Sequence, residues 1–377
     1  MNTRFNKNRL KFLFYDYQAI NILLVNEVPS GGAAVQAHGW MQGLLSEGHE
    51  VNLITDIGRG GSIKEECKKI KLHSVFDAQK GIRWIRWIYY RSPYIYKKIK
   101  EINPDYLYQG IPSWHTFIFA LICIQLNIKL IQRISNDFLL DDRFYKNHSR
   151  IHGFFLNLGL KLSYCILCQN DYQLNIIRKR FPNKKIFKIS NPIFLNGYHL
   201  NEIDQPKEHI AWLGLFQYQK NLPLLYEIAK TLPGERFLIA GTESTNIDEE
   251  TLIYMGKLKT LSNVEFIGFL ERKSIIPFLS KAKFILNTSH YEGFSNTFLE
   301  AMSVGTPILS SVKVNPDEII SKNNLGVVYK NPEDLKEKLY ALTPETIKSM
   351  SRNCLEFVSQ YHDHRKLAKD LVKFLIN

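Results

Sequence analysis

Apolar positions near the start of the chain form a run first and a helical pattern afterwards. INILLVN (20–26) is an apolar run of the kind found in strands buried in parallel sheets. A Gly-Gly turn (31–32) follows, and VQAHGWMQGLLSEGHE (35–50) then has helical spacing that ends near Gly48, a natural C-cap. VNLITD (51–56) is the next strand. This order predicts one βαβ unit of a doubly wound sheet.

A second alternation of strands and helices begins after Asn191-Pro192. Its predicted elements are the strand HIAWLGL (209–215), the helix LPLLYEIAKTL (222–232), the strands RFLIAG (236–241) and VEFIGFL (264–270), the helix SIIPFLSKA (274–282), the strand KFILNTS (283–289) and a helix after Asn296. The pattern therefore predicts two α/β domains in tandem, with a ligand cleft between the carboxyl ends of their strands.

The domain boundaries are predicted at 1–192 and 193–360. The tail, 361–377, has an amphipathic helical pattern, and its helix could cover its own domain or return to the first. A length of 377 residues and 45% hydrophobic content suit two globular domains of roughly 150 to 200 residues each.

The formal net charge of +13 favours an anionic partner. Phosphorylated ligands, an anionic membrane surface and nucleic acid would all fit this charge. Five cysteines form no even, short-spaced framework, so a reducing compartment is expected. The pair Cys165 and Cys168 lies in the apolar run YCILC without a second pair or a nearby histidine, so two strand residues explain it and no metal site is predicted.

No targeting or membrane-spanning segment is predicted. The longest apolar run, FIFALICIQL (117–126), is half the length that a membrane helix needs. A cytoplasmic protein, peripheral at the inner face of the cell membrane, is therefore expected.

Two glutamates flank a small polar turn in YEGFSNTFLEAMSVGTP (291–307). Gly293 and Asn296 favour a turn, and Asn296 could be the N-cap of the helix that follows. Glu292 is then expected on a loop and Glu300 on that helix, both facing the helix N-terminus. Such an end suits a phosphate, and carboxylates suit sugar hydroxyls, so a phosphorylated sugar would use both.

This motif, together with WLGLFQYQKNLPLL (212–225), LIAGTE (238–243) and NVEFIGFL (263–270), resembles the GT-B glycosyltransferases, most closely the retaining enzymes of glycosyltransferase family four. The resemblance runs from about residue 20 to 360. It implies two Rossmann-like doubly wound domains that face a cleft. It also implies a nucleotide-diphosphate sugar as donor, a glycan or lipid-linked acceptor, retention of anomeric configuration and no required metal or other cofactor.

The resemblance also implies roles for particular residues. Glu292 would contact the transferred sugar, Glu300 the nucleotide ribose, and Lys220 would neutralise the diphosphate. Catalytic roles fall on Glu292, Lys220 and His115. The implied donor-binding residues are Gly31, Gly32, Gly214, Lys220, Glu292, Gly293, Phe294, Ser295, Asn296, Thr297 and Glu300.

Two positions depart from the family pattern. Leu215 follows Gly214 where family members usually carry an arginine, so the phosphate clamp loses one charge. The strand near 104–110 lacks the usual histidine after it, and His115 is the nearest candidate. A histidine at the start of an apolar helix is also a common capping or packing residue, so both readings of His115 stay open. The other residues that could line the cleft there are Arg133 and Asp137.

The segment KGIRWIRWIYYRSPYIYKKIK (80–100) contains seven Lys or Arg residues and no acid, interleaved with aromatic residues. This composition favours contact with an anionic bilayer or a lipid acceptor. Alternatively, Ile82, Ile85 and Ile88 face a core and the basic residues are solvated. Base stacking would also suit the composition, but no nucleic-acid-binding fold surrounds the segment, so nucleic acid is not expected as a partner.

Two other functions remain open from the sequence. One is a non-catalytic protein that binds a nucleotide sugar in the same fold, and the other is a sugar-nucleotide epimerase.

Overall fold

A computed structural model describes residues 9–16, 18–26, 31–58, 60–82, 85–146, 148–194, 207–244 and 247–377. The chain divides into two compact units. Unit 1 comprises Met1–Phe194 with Asp363–Asn377, and unit 2 comprises Leu195–His362. The first boundary therefore falls two residues later than the predicted one, since Ile193 and Phe194 belong to unit 1.

Unit 1 is built on a parallel sheet of seven strands in the order β3-β2-β1-β4-β5-β6-β7. Its strands are β1 (Lys11–Tyr15), β2 (Glu50–Asp56), β3 (Lys71–Phe76), β4 (Tyr106–Gln109), β5 (Lys129–Arg133), β6 (Cys165–Cys168) and β7 (Lys185–Lys188). Its helices are α1 (Ile20–Leu23), α2 (Gly32–Ser46), α3 (Ser92–Ile102), α4 (Thr116–Leu126), α5 (Arg150–Leu162), α6 (Asp171–Arg180) and α14 (His364–Ile376). Short turns of other helix types lie at Glu65–Cys67, Trp87–Arg91, Asp137–Leu140 and Asp142–Lys146.

The first strand is not where the apolar run predicts it. The prediction of a strand at 20–26 is wrong, because Ile20–Leu23 forms the single-turn helix α1 and Lys11–Tyr15 forms the strand. A short apolar run does not by itself distinguish a buried strand from a buried helix. β1 pairs with both β2 and β4 in the middle of the sheet, and that pairing decides the assignment.

Both faces of β1 are covered, as expected for a central parallel strand. Phe12 and Phe14 belong to a core with Trp40 of α2, whereas Leu13 and Tyr15 belong to a second core under α3 and α4. The alternation of side chains along β1 therefore supplies both layers of unit 1.

The C-terminal helix α14 packs on unit 1. Its residues Leu367 and Leu371 lie in the same core as Trp40. A Cβ added at Gly43 of α2 would lie 2.3 Å from the His364 carbonyl oxygen, so the two helices approach closely only because this position is glycine.

Unit 2 is built on a second parallel sheet, of six strands, in the order β10-β9-β8-β11-β12-β13. Its strands are β8 (His209–Phe216), β9 (Phe237–Glu243), β10 (Val264–Gly268), β11 (Ala282–Asn287), β12 (Ile308–Ser311) and β13 (Gly326–Tyr329). Its helices are α7 (Leu222–Thr231), α8 (Glu249–Leu258), α9 (Arg272–Ser280), α10 (Asn296–Met302), α11 (Ile319–Lys322), α12 (Pro332–Tyr340) and α13 (Pro344–Tyr361), with 3₁₀ turns at Tyr218–Lys220 and Pro316–Glu318. The strand and helix types predicted between 209 and 302 are confirmed.

Candidate functional site

In the sheet of unit 2, β8 and β11 are neighbours, and the strands that follow each of them along the chain are added in opposite directions. Ligands of doubly wound proteins bind outside the carboxyl ends of the strands at such a switch point. Lys220 lies in the turn after β8, and Glu292 lies in the loop after β11. The topology therefore brings together two of the residues that the motif singled out.

Lys220 and Glu292 form an ion pair at this point, with Nζ 2.5 Å from Oε1. The two side chains are only 17% and 12% exposed, respectively. The Ser289 hydroxyl also donates a hydrogen bond of 2.9 Å to Oε1 of Glu292. An ammonium group has three N–H donors, so Lys220 can bind Glu292 and still donate to phosphate oxygens.

Two backbone features fix the position of Lys220. A Cβ added at Gly214 would lie 3.3 Å from Cε of Lys220, so the glycine leaves room for the lysine side chain beside the strand. Asn221, with φ of 51°, turns the chain directly after Lys220, and its side chain accepts a hydrogen bond from the Leu224 amide to start α7.

Hydrogen bonds tie the turn that carries Lys220 to the loop that carries Glu292. The Thr288 hydroxyl donates to the Lys220 carbonyl oxygen at 2.7 Å, and the side-chain Nε2 of Gln219 donates to the Tyr291 carbonyl oxygen at 2.9 Å. The His290 amide donates back to the Gln219 carbonyl oxygen. The ion pair therefore sits on two loops whose separation is fixed by hydrogen bonds to backbone carbonyl oxygens.

The polar turn after Glu292 leads directly into α10. The helix begins at Asn296 with Ser295 at the N-cap, so the prediction that Asn296 is the N-cap is wrong. The Ser295 hydroxyl pairs instead with the Thr297 hydroxyl at 2.6 Å, and the Phe294 ring lies 5.3 Å from the His362 ring. Gly293 is buried in the loop between Glu292 and the helix.

Glu300 lies on α10 and Glu292 on the preceding loop, as the sequence predicts, but the two carboxylates have different partners. Oε1 of Glu300 lies 2.5 Å from Nη1 of Arg272, the first residue of α9. Oε1 of Glu300 has no hydrogen-bond partner among the described residues, so the attraction between the two side chains is electrostatic. Sequence reasoning missed Arg272, because nothing in its local pattern links it to the glutamate motif.

Unit 1 has a switch point of its own between β1 and β4. Asp16 directly follows β1 and is buried. Its Oδ1 accepts a hydrogen bond from the Gln18 amide, whereas Oδ2 has no hydrogen-bond partner among the described residues. Burial raises the pKa of this carboxyl group to about 6, against the opposing effect of the Gln18 and Ala19 amides.

Gly110 adjoins Asp16, and Gly31 adjoins the nearby Gln18. A Cβ added at Gly110, just after β4, would lie 3.8 Å from Oδ2 of Asp16. A Cβ added at Gly31, the N-cap of α2, would lie 3.5 Å from Oε1 of Gln18, and Gly32 opens that helix. Asp16 was missed because the strand before it was placed nine residues too late, at Ile20 instead of Lys11.

His115 packs among aromatic rings in the structure. Its ring stacks on Trp87 with centroids 4.4 Å apart, and the Ser113 hydroxyl lies 2.5 Å from its Nδ1. Burial, assisted by the charges of His152 and Arg91, lowers the pKa of His115 to about 3, so the imidazole is neutral at physiological pH. This geometry favours the packing alternative for His115.

The two other candidates of unit 1 are held by polar neighbours. Arg133 is fully buried and its guanidinium donates to the side chains of Gln36 and Asn191. Asp137 accepts hydrogen bonds from the side chains of Asn170 and Gln173. The contacts of Arg133 connect β5 to α2 and to Asn191, and those of Asp137 connect its 3₁₀ turn to the start of α6.

The basic aromatic segment exposes apolar side chains. Ile82, Ile85 and Ile88 are exposed, with 68% of Ile88 accessible, so the alternative in which they face a core is wrong. Ile95 and Ile99 of α3 are the residues that face the core. Arg83 and Trp84 lie outside the described residues.

The described part of the chain contains neither a candidate metal cluster nor a helix that could span a membrane. No group of three or more His, Cys, Asp or Glu residues there could hold a metal ion. Cys165 and Cys168 are buried thiols on β6, and burial raises the pKa of each to about 12. Within the same residues, every helix is too short or too polar to cross a bilayer.

Comparison with known proteins agrees with this architecture. The family model described as "Glycosyl transferases group 1" matches residues 200–353. The chain is similar to an uncharacterised glycosyltransferase of Methanocaldococcus jannaschii, with 24% identity across 81% of this chain and 83% of the relative. It is also similar to the α-monoglucosyldiacylglycerol synthase of Acholeplasma laidlawii, with 21% identity across 83% and 85%.

Among solved structures, Anabaena HepE in complex with UDP and glucose has the same fold. It aligns with a TM-score of 0.73 at 13% identity, covering 97% of this chain and 99% of that one. The two parallel sheets with their helices are those of the GT-B architecture. The family match over residues 200–353, the named relatives and this shared fold together identify the chain as a glycosyltransferase with the GT-B fold, in which residues 200–353 match the group 1 family.

Proposed function

We propose that this enzyme is a retaining glycosyltransferase that moves a sugar from a nucleotide-diphosphate donor to a hydroxyl group of a glycan or lipid-linked acceptor. The observation that carries the proposal is the ion pair between Lys220 and Glu292 at the switch point of unit 2. A cation for the diphosphate and a carboxylate for sugar hydroxyls stand next to each other there. HepE, which is similar in fold, was solved with UDP and glucose.

In the proposed reaction, Lys220 stabilises the charge that develops on the diphosphate as its bond to the sugar breaks. Glu292 accepts hydrogen bonds from hydroxyls of the transferred sugar, and Glu300 accepts them from the nucleotide ribose. The acceptor hydroxyl attacks from the face that the diphosphate leaves, and the diphosphate takes up its proton. Lys220 supplies the charge at the phosphate, so the reaction requires no metal.

Asp16 is the acceptor-side residue in this proposal. Its Oδ2 is free to accept a hydrogen bond, and Gly110 leaves space beside it. A carboxylate oxygen in that position can orient a hydroxyl group without taking its proton. Because His115 is neutral and stacked on Trp87, it has a packing role in the same unit.

Nucleotide binding tests the donor half of the proposal. Calorimetry with UDP, GDP, ADP and their common sugar conjugates should show selective binding of one nucleotide. Glu300→Ala should weaken that binding about 10- to 100-fold, because hydrogen bonds to a charged group contribute about 1.5–3 kcal/mol. Glu265→Ala is the matched control, since Glu265 is exposed and pairs with Arg236 elsewhere in unit 2.

Absence of binding by every nucleotide would contradict the proposal. Selective binding without transfer to any glycan or lipid acceptor would favour the alternative of a non-catalytic nucleotide-sugar-binding protein. The replacement of the usual arginine by Leu215 is the feature that favours this alternative.

We further propose that the segment at 80–100 places the enzyme on the anionic inner face of the cell membrane. Exposed Ile82, Ile85 and Ile88 would enter the headgroup region, and the basic residues would meet lipid phosphates. The similar α-monoglucosyldiacylglycerol synthase is, by its name, an enzyme of glycolipid synthesis. A lipid-linked acceptor would be consistent with this location.

Vesicle binding measures this contact directly. Ile88→Glu should lower partitioning to vesicles that contain 30% phosphatidylglycerol at least 10-fold, because burial of one isoleucine side chain contributes about 1.5–3 kcal/mol. Ile253→Glu on α8 is the control, since Ile253 is also exposed but lies in unit 2. Equal partitioning of the Ile88 variant and the wild type would exclude this segment as the membrane contact.

A further inference from the structure

Glu300 is a buried acid that lies beside one particular arginine. Its side chain is 4% exposed, whereas the Arg272 side chain 2.5 Å away is 30% exposed. We infer that Arg272 positions the Glu300 carboxylate for the ribose of the nucleotide and thereby determines selection of ribonucleotides over deoxyribonucleotides. This inference rests on the proposed function, since it concerns how the donor pocket of that function recognises its ligand.

A buried carboxylate needs a compensating charge. Loss of one partner of a buried pair leaves an uncompensated charge, which is strongly unfavourable. Glu300 is fixed on α10 among the buried residues Phe298, Leu299 and Ala301, so its backbone cannot move it into solvent. Arg272 is therefore in the position to hold the carboxylate in the pocket.

The loop before α9 brings Arg272 to this place. Gly268 ends β10 with φ of +77°, a left-handed conformation that favours glycine, and Glu271 is the N-cap of α9. The next residue, Lys273, is 79% exposed and pairs with Glu271 on the surface. The helix thus presents one basic side chain to Glu300 and the neighbouring one to solvent.

The contact leaves part of Glu300 available to a ligand. Arg272 approaches Oε1, and a carboxylate has a second oxygen with further acceptor sites. The 2′- and 3′-hydroxyls of a ribose are adjacent, and both can donate hydrogen bonds to this second carboxylate oxygen. A site built to bind a hydroxyl group discriminates against the analogue that lacks it, because its polar groups are then left unpaired.

Binding of ribonucleotides and deoxyribonucleotides tests the inference. Calorimetry would compare UDP, CDP, GDP and ADP with their 2′-deoxy counterparts for the wild type, Arg272→Ala, Arg272→Lys and the control Lys273→Ala. We expect the wild type and the control to prefer the ribose form at least 10-fold. Arg272→Ala should bind the ribonucleotide about as weakly as the deoxyribonucleotide, and Arg272→Lys should recover part of the preference.

Any other outcome of the calorimetry overturns either the inference or the proposed function. If Arg272→Ala keeps the wild-type preference, or weakens both forms by the same factor, the inference is overturned and the proposed function stands. If the wild type binds the two forms equally, Glu300 does not read the ribose and the inference is also overturned. If the wild type binds no nucleotide, the proposed function itself fails, which is a different outcome from the first two.

Discussion

Lys220→Met should lower kcat/KM for sugar transfer about 10²- to 10³-fold, the loss typical of removing one preorganised group that stabilises charge in a transition state. Methionine retains an unbranched, apolar side chain of similar length but has no charge. Donor binding should weaken too, because the diphosphate is already charged before the sugar leaves. The measurement is steady-state transfer at several donor concentrations, which separates kcat from KM.

The lysine also compensates Glu292, so a loss of stability has to be separated from a loss of chemistry. Lys220→Met leaves the mostly buried Glu292 carboxylate with the Ser289 hydroxyl but without its cation. The double variant Lys220→Met/Glu292→Gln removes that unpaired charge. We expect it to recover the thermal stability lost in the single variant while transfer stays as low or falls further.

Lys283→Met is the matched control for this experiment. Lys283 pairs with Glu235 at 3.0 Å and lies near the amino end of β11, whereas Glu292 follows the carboxyl end of that strand. Its replacement removes an ion pair from the same unit and should leave transfer unchanged. Wild-type activity in the Lys220→Met/Glu292→Gln variant would show that the pair serves the fold alone.

Asp16→Asn should stabilise the protein at pH 7 and impair transfer. The pKa of Asp16 is about 6 in the folded protein and 3.8 for an unperturbed aspartate. A raised folded pKa contributes stability that is present below the unfolded value and is lost as the pH rises through the folded value. The ionised carboxylate therefore lowers the free energy of unfolding at pH 7 by about 3 kcal/mol, at about 1.4 kcal/mol per pKa unit.

Asparagine keeps an oxygen for the Gln18 amide but does not titrate. The difference in free energy of unfolding between Asp16→Asn and the wild type should thus be small near pH 4 and grow to about 3 kcal/mol by pH 7. Denaturant unfolding at pH 4, 5, 6 and 7 measures this difference. The effects of the other carboxylates, which are common to both proteins, cancel in the comparison.

Transfer by Asp16→Asn should fall about 10- to 100-fold in kcat/KM for the acceptor, the effect expected for losing a hydrogen bond to a charged group. Nucleotide affinity should stay unchanged, because the nucleotide-binding residues of the proposal lie in unit 2. Asp105→Asn is the control, since Asp105 accepts from the Lys11 amide at the amino end of the same sheet. Unchanged acceptor kinetics in Asp16→Asn would remove Asp16 from the acceptor site.

The stability gain is itself informative. In most of the fold each residue type suits its surroundings, but a buried charge destabilises the folded protein. Such unfavourable residues are found mainly at functional sites. Arg133, in contrast, is buried with hydrogen bonds to Gln36 and Asn191, and its role in holding β5 to its neighbours follows from those contacts.

Much of the secondary structure of unit 2 could be predicted from the sequence alone. The short apolar runs between 209 and 289 are bounded by turn residues and alternate with helical patterns, which is the signature of a parallel sheet. The same local information placed Glu292 on a loop and Glu300 on a helix. In unit 1 the apolar run at 20–26 was wrongly predicted to be a strand, because a continuous apolar sequence is typical both of a buried strand and of a buried helical turn.

The sequence by itself therefore determined the α/β class, the four strands of unit 2 between residues 209 and 289, and the motif that contains Glu292 and Glu300, since all of these depend on residues close together in the chain. Only the tertiary structure decided that Lys11–Tyr15 is the central strand, that Asp16 is buried beside it and that Arg272 faces Glu300. Strand pairing, burial and ion pairs join residues that are distant in sequence. Their free energies depend on positions that local periodicity does not encode.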